Sequence, residues 1–252
     1  MNFDEFLIKM KEIQKKGFIE SHRKGDTGIG KTLEDLLGIT ENNIAGPDFG
    51  IFELKSARKR ASSMLTLFTK APQPQGANHE LLMRCGYPSR KKTNQSILFT
   101  YLGSKETLPQ VDSTPNEYEL HITVDSTRDN SLGLRLEIKG NVVYIANPKG
   151  VQAYYEETYL KEAFQKKYQH SLVYVLADSK KEGGKEFFHF NEAQLLNRFN
   201  FERFLSLIRS GEIKLDIRIG HYPDGRPHDH GTGFRTFPMN LPLCFAEVKK
   251  IL

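Results

Sequence analysis

GDTGIGKTLEDLLGITENNIAGPDFGIFELK, residues 25–55, holds two chemical signatures that lead to different folds. Its head, Gly25 to Thr32, matches the phosphate-cradling P-loop pattern letter for letter. Its tail, Pro47 to Lys55, sets Asp48, Glu53 and Lys55 in an Asp-x4-Glu-x-Lys array. Many metal-dependent nucleases space two magnesium-binding carboxylates and a water-activating lysine in this way. One signature implies nucleotide hydrolysis, the other the cutting of DNA. The residues around them separate the two.

A P-loop needs a buried strand that delivers the glycine turn to a helix N-terminus, where backbone N–H groups meet phosphate. The residues ahead of Gly25 are IESHRK, which contain no apolar strand. LVYVLAD, Leu172 to Asp178, is an apolar strand ending in an acid and would suit a second, magnesium-holding motif. Such strands are common, and the missing strand before Gly25 weighs more. The same turn, with Lys31 and backbone N–H groups, suits a DNA phosphate equally well.

Phosphodiester hydrolysis needs charge compensation on the phosphate, a deprotonated water and a stabilised leaving oxygen. Magnesium held by carboxylates can supply all three. Asp48 ends a loop, and Ile51 to Lys55 reads as a short strand. Strand side chains repeat every second residue, so Glu53 and Lys55 share a face while Leu54 points into the core. Its carbonyl is then a possible metal ligand. Lys55 is suited to orient the attacking water and favour its deprotonation. Taken alone, the array is weak, and a surface strand with an incidental ion pair would explain it. Glu34, on a short helix after the glycine turn, adds a third carboxylate able to reach the metals or position Lys55.

Composition sets the class. A chain of 252 residues with 38% hydrophobic and 27% charged residues is an ordinary globular protein, long enough to bury a real core. No apolar run approaches the roughly 20 residues of a membrane helix. The acidic start, MNFDEFLIKM, does not resemble a secretory signal, so a cytoplasmic location is expected. Cys85 and Cys244 show no metal spacing and read as two reduced thiols. Net charge is +5, compatible with a polyanionic partner. Basic residues gather at Lys15-Lys16, His22-Arg23-Lys24, Arg58-Lys59-Arg60 and Arg90-Lys91-Lys92. Each alone is a solvated surface. Together around a carboxylate site they suggest a groove that tracks a nucleic-acid backbone.

Periodicity outlines a mixed α/β chain with a sheet of mixed direction. Residues 3 to 16 place Phe3, Phe6, Leu7, Met10 and Ile13 on one helical face, stopped by Gly17. Further helices are expected over Thr32 to Leu37, Val151 to Lys167 and Phe201 to Arg209. Strands are expected at Ile97 to Leu102, Tyr118 to Val124, Leu134 to Ile138, Val142 to Ile145, Leu172 to Ala177 and Glu186 to Phe190. Lys139-Gly140-Asn141 and Gly183-Gly184 read as turns, and Lys70 to Asn78 as a loop able to sit over a groove. From Ile213 onward the chain is strand and loop.

DIRIGHY, Asp216 to Tyr222, alternates Asp216 and Arg218 onto one strand face and then, with a phase shift, presents His221 and Tyr222. An intra-strand ion pair is the plain explanation. Base readout is the other, since arginine reaches guanine bidentately and a carboxylate accepts from cytosine N4. HDHGTGFR adds His228, His230 and Arg235 on a glycine-loosened loop. A zinc site from His221, His228 and His230 lacks a fourth ligand and a recognisable spacing. The residues alone leave this cluster undecided, and Asp229 suits a loop-stabilising role as well as any.

RKGDTGIGKTLEDLLG, PDFGIFELK, LTLFTKAP (Leu65 to Pro72) and IKLDIRIGHYPDGRPHDHGTGFR (Ile213 to Arg235) together resemble the MvaI/BcnI family of type II restriction endonucleases, relatives of the MutH nicking enzymes. Residues 80–210 match only loosely. The resemblance implies a single two-lobed PD-(D/E)xK domain of MutH-like fold, with a mixed central sheet and a cleft for double-stranded DNA. The catalytic core would span about 20–75 and the recognition segment about 211–240. It implies Mg2+ as cofactor, Asp48 and Glu53 as its ligands, Lys55 beside the attacking water and Glu34 in support. Arg23, Lys24 and Lys31 would hold phosphate. Asp216, Arg218, His230 and Arg235 would read bases, and His221, Tyr222 and His228 would also bind DNA. It further implies a monomer that cuts one strand at a time within a CC-N-GG-type site, CCWGG being favoured, leaving 5′-phosphates. A DNA methyltransferase would serve the same system without being bound. A MutH-like repair enzyme that nicks only with a partner, and a P-loop NTPase, are the alternatives.

Overall fold

The computed structural model describes residues 1–39, 48–61, 63–88, 118–168, 171–222 and 226–252. In chain order the elements begin with α1 (Phe3–Lys15), β1 (Ile19–Glu20), α2 (Gly28–Leu37), β2 (Phe52–Arg58) and β3 (Leu65–Thr69). Next come α3 (Ala77–Cys85), β4 (Tyr87–Pro88), β5 (Tyr118–Val124), β6 (Arg135–Lys139), β7 (Val142–Ala146) and β8 (Tyr154–Tyr155). α4 (Glu157–Lys167), β9 (Ser171–Glu182), β10 (Lys185–Phe199) and α5 (Phe201–Arg209) follow. The chain ends with β11 (Ile213–His221), β12 (Pro227–Asp229), β13 (Gly233–Thr236), a 3-10 segment (Pro238–Cys244) and β14 (Phe245–Lys250). No helix among the described residues is long and apolar enough to cross a membrane.

Two compact units divide the chain, one of residues 1–67, 161–207 and 236–252, the other of 68–160 and 208–235. The first is built on a sheet of order β1-β10-β9-β2, with β14 also on β10. β2 runs parallel to β9 and the other pairs are antiparallel, so the sheet is of mixed direction. β9 is apolar from Leu172 to Ala177 and fully buried there, which requires cover on both faces. On one face Val173, Val175 and Ala177 meet Phe6, Met10 and Ile13 of α1 and Ile29, Leu33 and Leu37 of α2. Each such side chain contributes about 1.5–3 kcal/mol by leaving water. α1 starts where Asn2 and Glu5 cap each other reciprocally, at 2.9 and 3.0 Å. Elsewhere in this unit Phe164, Tyr168, Phe199, Phe204 and Phe245 form one aromatic cluster, with Phe164 and Phe199 stacked at 3.7 Å.

A further sheet has the order β3-β13-β11-β5-β4, with β12 on β11, and the second unit also carries a smaller sheet β6-β7-β8. The β6–β7 hairpin turns at Gly140 (φ 59°), with Lys139 opposite Val142, where the sequence places it.

Several boundaries differ from the sequence expectation, each for a local reason. Tyr154 and Tyr155 pair with β7, so the helix expected from Val151 begins only at Glu157. Val151, Ala153 and Tyr155 are buried in strict alternation, which is strand periodicity. β10 runs on to Phe199 because the register shifts between Phe190 and Glu192 and pairing then resumes. Asn191 at that shift donates to Asp178 at 2.7 Å. β9 likewise passes Asp178 and continues to Glu182. β2 extends past Lys55 to Arg58, and the loop from Lys70 gives way to α3 at Ala77. The strand expected at Ile97 to Leu102 lies outside the described residues. Both cysteines are buried and free.

Candidate active site

A tight turn puts the acidic array together. Phe49 and Phe52 exchange backbone hydrogen bonds at 3.2 and 2.8 Å around Gly50, whose φ of 54° suits glycine. The turn folds Asp48 back over the strand it precedes, and its carboxylate accepts from the Leu54 N–H at 2.6 Å. On β2, Glu53 and Lys55 project to the same side, and the Lys55 ammonium donates to Glu53 at 3.4 Å. Leu54 packs the other way, against the core. The Asp48–Glu53–Lys55 array is therefore one local group of two acids and a cation.

Burial shifts the proton affinity of Asp48 and Lys55. Glu53 and Lys55 side chains are each 23% exposed. Burial pushes the Lys55 ammonium below its ordinary value, and the like charge of Lys167 adds to the push; Glu53 and Asp48 oppose it. The Asp48 carboxyl is pushed up by burial and by Glu53, against the Leu54 N–H, Lys55 and Lys167. A lysine with a lowered proton affinity is what water activation requires. Lys167, at the C-terminal end of α4, is the participant sequence reading missed. A basic residue in a last helical turn reads as a dipole partner, and only tertiary structure brings it to β2.

α2 supplies the facing wall. It begins at Gly28, four residues before the expected start, because Gly25 (φ 84°) turns the chain into it. A Cβ on Gly28 would collide with the Arg23 carbonyl oxygen and Ser21 Oγ, so this position must be glycine. Thr32 is buried; its hydroxyl donates to the Gly28 carbonyl at 2.7 Å and accepts from the His22 N–H at 2.9 Å. Lys31 pairs with Asp35 at 2.9 Å, and Asp35 also meets His22 at 2.9 Å. The threonine that a P-loop would turn toward magnesium is thus engaged inside the fold. A hollow of about 400 Å³ lies against this helix, lined by Arg23, Lys31, Glu34, Lys55 and Ser56 among others. Glu34 and Lys55 therefore share one hollow. Lys24 instead lines the neighbouring groove with Arg23.

Among the described residues no three acidic, histidine or cysteine side chains converge as a ready metal cage. Glu34 accordingly does not complete a three-carboxylate cluster with Asp48 and Glu53. Two carboxylates beside an open hollow still fit magnesium, which is commonly held by one or two carboxylates plus substrate phosphate. Glu53 is a like charge beside Asp48, and a cation near two carboxylates relieves such repulsion. His221, His228 and His230 likewise form no three-ligand metal group among the described residues.

In the second unit Asp216 organises the C-terminal cluster. It is buried, accepts from Arg235 Nη1 at 2.8 Å and Thr123 Oγ1 at 3.2 Å, and lies 3.6 Å from Arg218 Nε. Arg218 also donates to the Gly231 carbonyl at 3.1 Å. Asp229 closes the loop: it accepts from the N–H groups of Gly231 and Thr232 at 2.8 and 2.7 Å and from Asn78 at 2.6 Å. These bonds hold the loop in shape. Tyr222 and His228 stack at 4.0 Å, and His228 meets His230 at 4.0 Å. His221 is held by the Tyr118 carbonyl at 3.2 Å. His121, absent from the sequence candidates, lies opposite Arg218 across β5–β11 and edge-on to His230 at 5.7 Å. Strand register alone reveals it.

The chain belongs to the MvaI/BcnI restriction endonuclease family, whose profile matches residues 7–245. It is therefore a site-specific deoxyribonuclease. Over the full length of both chains it is similar, at 31% identity and a TM-score of 0.70, to restriction endonuclease MvaI in complex with its cognate DNA substrate. It is similar at 30% identity and a TM-score of 0.61 to MvaI in the absence of DNA, covering 100% of this chain and 99% of that one. No curated protein matches.

Proposed function

We propose that this enzyme is a magnesium-dependent type II endonuclease of PD-(D/E)xK type. In this reading it cleaves double-stranded DNA at a short CC-N-GG-type site, CCWGG being the expected form, and leaves 5′-phosphates. The observation that carries the reading is the Asp48–Glu53–Lys55 group beside a hollow rimmed by Arg23 and Lys31. Asp48 and Glu53 would hold magnesium, which when bound supplies charge compensation at the scissile phosphate. Lys55, its ammonium destabilised by burial and Lys167, orients the attacking water and takes part in its deprotonation. Glu34, in the same hollow, positions Lys55. Arg23, Lys24 and Lys31 hold the phosphodiester backbone. Arg218 and Arg235, pre-set by Asp216, face guanines, with His221, Tyr222, His228 and His230 around them. The enzyme acts as a monomer on one strand at a time.

Digesting a sequenced plasmid in magnesium and sequencing the ends tests this directly. Cuts at one recurring CC-N-GG-type sequence with 5′-phosphate ends are expected. Random nicking, or a different recurring sequence, would overturn the site assignment. Lys55→Ala should abolish cleavage while specific binding in calcium persists, and a variant that cuts at the original rate removes Lys55 from the mechanism.

A further inference from the structure

A second groove, of about 590 Å³, adjoins the catalytic hollow in the first unit and shares Arg23 and Asp26 with it. It passes from the Gly25–Asp26 turn along Arg58, Arg60 and Ala61 at the end of β2 to Lys181, Gly184 and Lys185 at the β9–β10 hairpin. Six cations line it, Arg23, Lys24, Arg58, Arg60, Lys181 and Lys185, against three carboxylates, Glu20, Asp26 and Glu186. Arg58 pairs with Glu186 at 2.7 Å and Lys185 with Glu20 at 2.9 Å, and Arg23, Lys24, Arg60 and Lys181 against Asp26 then leave a positive excess. Three separate stretches of chain contribute that excess. On the hairpin, alternation sends Lys180 the other way, over Phe18 and onto Glu182 at 2.9 Å, and leaves Lys181 on the groove side.

We propose that this groove grips the sugar-phosphate backbone of duplex DNA outside the recognition sequence, on the flank that leaves the catalytic hollow past Arg23. The inference rests on the nuclease reading above. Single-stranded nucleic acid is gripped by pairing a basic track with aromatic stacking platforms. None of the described residues lining this groove is aromatic. A cationic track without stacking rings matches a duplex, whose bases are inside and whose phosphates alone are offered.

The test compares two duplexes carrying one cleavage site. One is trimmed close to the site, the other extended on both sides by about ten base pairs, one helical turn. Binding in calcium and cleavage in magnesium are measured for the original enzyme and for Arg60→Gln/Lys181→Gln, both exposed positions. Losing two phosphate contacts should lower the salt dependence of binding to the long duplex by about 1.8 in log–log slope. Between about 50 and about 200 mM salt the original enzyme then loses about twelvefold more affinity for the long duplex than the variant does. Binding and cleavage of the short duplex should be the same for both proteins, which also shows that the variant is folded. An unchanged slope on the long duplex, or an equal loss on both duplexes, would overturn the flank assignment. Failure of the original enzyme to cut either duplex would instead overturn the nuclease reading beneath it.

Discussion

Removing the Arg58 side chain should cost the first unit about 2–4 kcal/mol. Arg58 lies at the end of the strand that carries Glu53 and Lys55, and its guanidinium meets both Glu186 carboxylate oxygens at 2.7 Å. It also donates to the Gly25 and Asp26 carbonyls at 3.3 Å each, the turn from which α2 departs. The two side chains are 17% and 18% exposed. Breaking a fully buried pair costs about 3–5 kcal/mol because the remaining charge is stranded. Residual exposure lets water reach Glu186, which lowers that figure to the range above. Arg58→Lys keeps the charge but loses the planar fork, so about half the cost should remain. Urea unfolding of Arg58→Ala, Glu186→Ala and the double variant isolates the pair, and a coupling of about 2 kcal/mol is expected. A coupling below about 0.5 kcal/mol, the level of an exposed surface pair, would refute the clamp.

The same pair sets an acid limit. Arg58 holds the Glu186 carboxyl below its usual value of 4.5, so its stabilisation is complete above that value and is lost as pH falls through the lowered one. The stability gap between the original enzyme and Glu186→Gln, read by urea midpoints, should therefore narrow from neutral pH to about pH 3; a constant gap would contradict it. Gly28→Ala should lower stability by about 1–3 kcal/mol, since the new Cβ meets a backbone carbonyl that cannot swing aside. A thermal midpoint equal to the original would show that the α2 entrance yields. Arg218→Ala should lose about 1–3 kcal/mol of discrimination at one G·C pair, measured as cleavage of cognate against singly substituted sites. An unchanged ratio takes Arg218 off the reading surface.

Local features were legible in the sequence and tertiary ones were not. The α1 face, the 139–141 hairpin and the Glu53/Lys55 alternation follow from periods of 3.6 and 2 that need no partner. Asp48 was readable as an acid near β2, but its bond to the Leu54 N–H depends on the Phe49–Phe52 turn. Lys167 was illegible because it reaches the site from more than a hundred residues away, out of a helix turn where lysine is unremarkable on its own. His121 was illegible for a different reason: its neighbour Arg218 is set by strand register, which the hydrophobic pattern fixes only once both strands are known. The β8 error shows the converse. A helical reading of residues 151–155 overlooked alternate burial that the string Val-Gln-Ala-Tyr-Tyr already permits.

Each letter of the apparent P-loop has a cause that involves no nucleotide. Gly25 supplies a positive φ, and Gly28 leaves room for the Arg23 carbonyl. Lys31 pairs one helical turn on with Asp35, and Thr32 ties the first turn of α2 to His22. Gly30 sits where the helix approaches β2, 3.8 and 3.9 Å from Glu34 Oε1 and Ser56 Oγ by the position its Cβ would take. A short helix that must press close to a neighbouring strand needs small residues at its start and a polar tie behind it. A phosphate-cradling loop needs the same residue types for close approach to an anion. What separates the two is where the threonine hydroxyl goes, and here it goes inward.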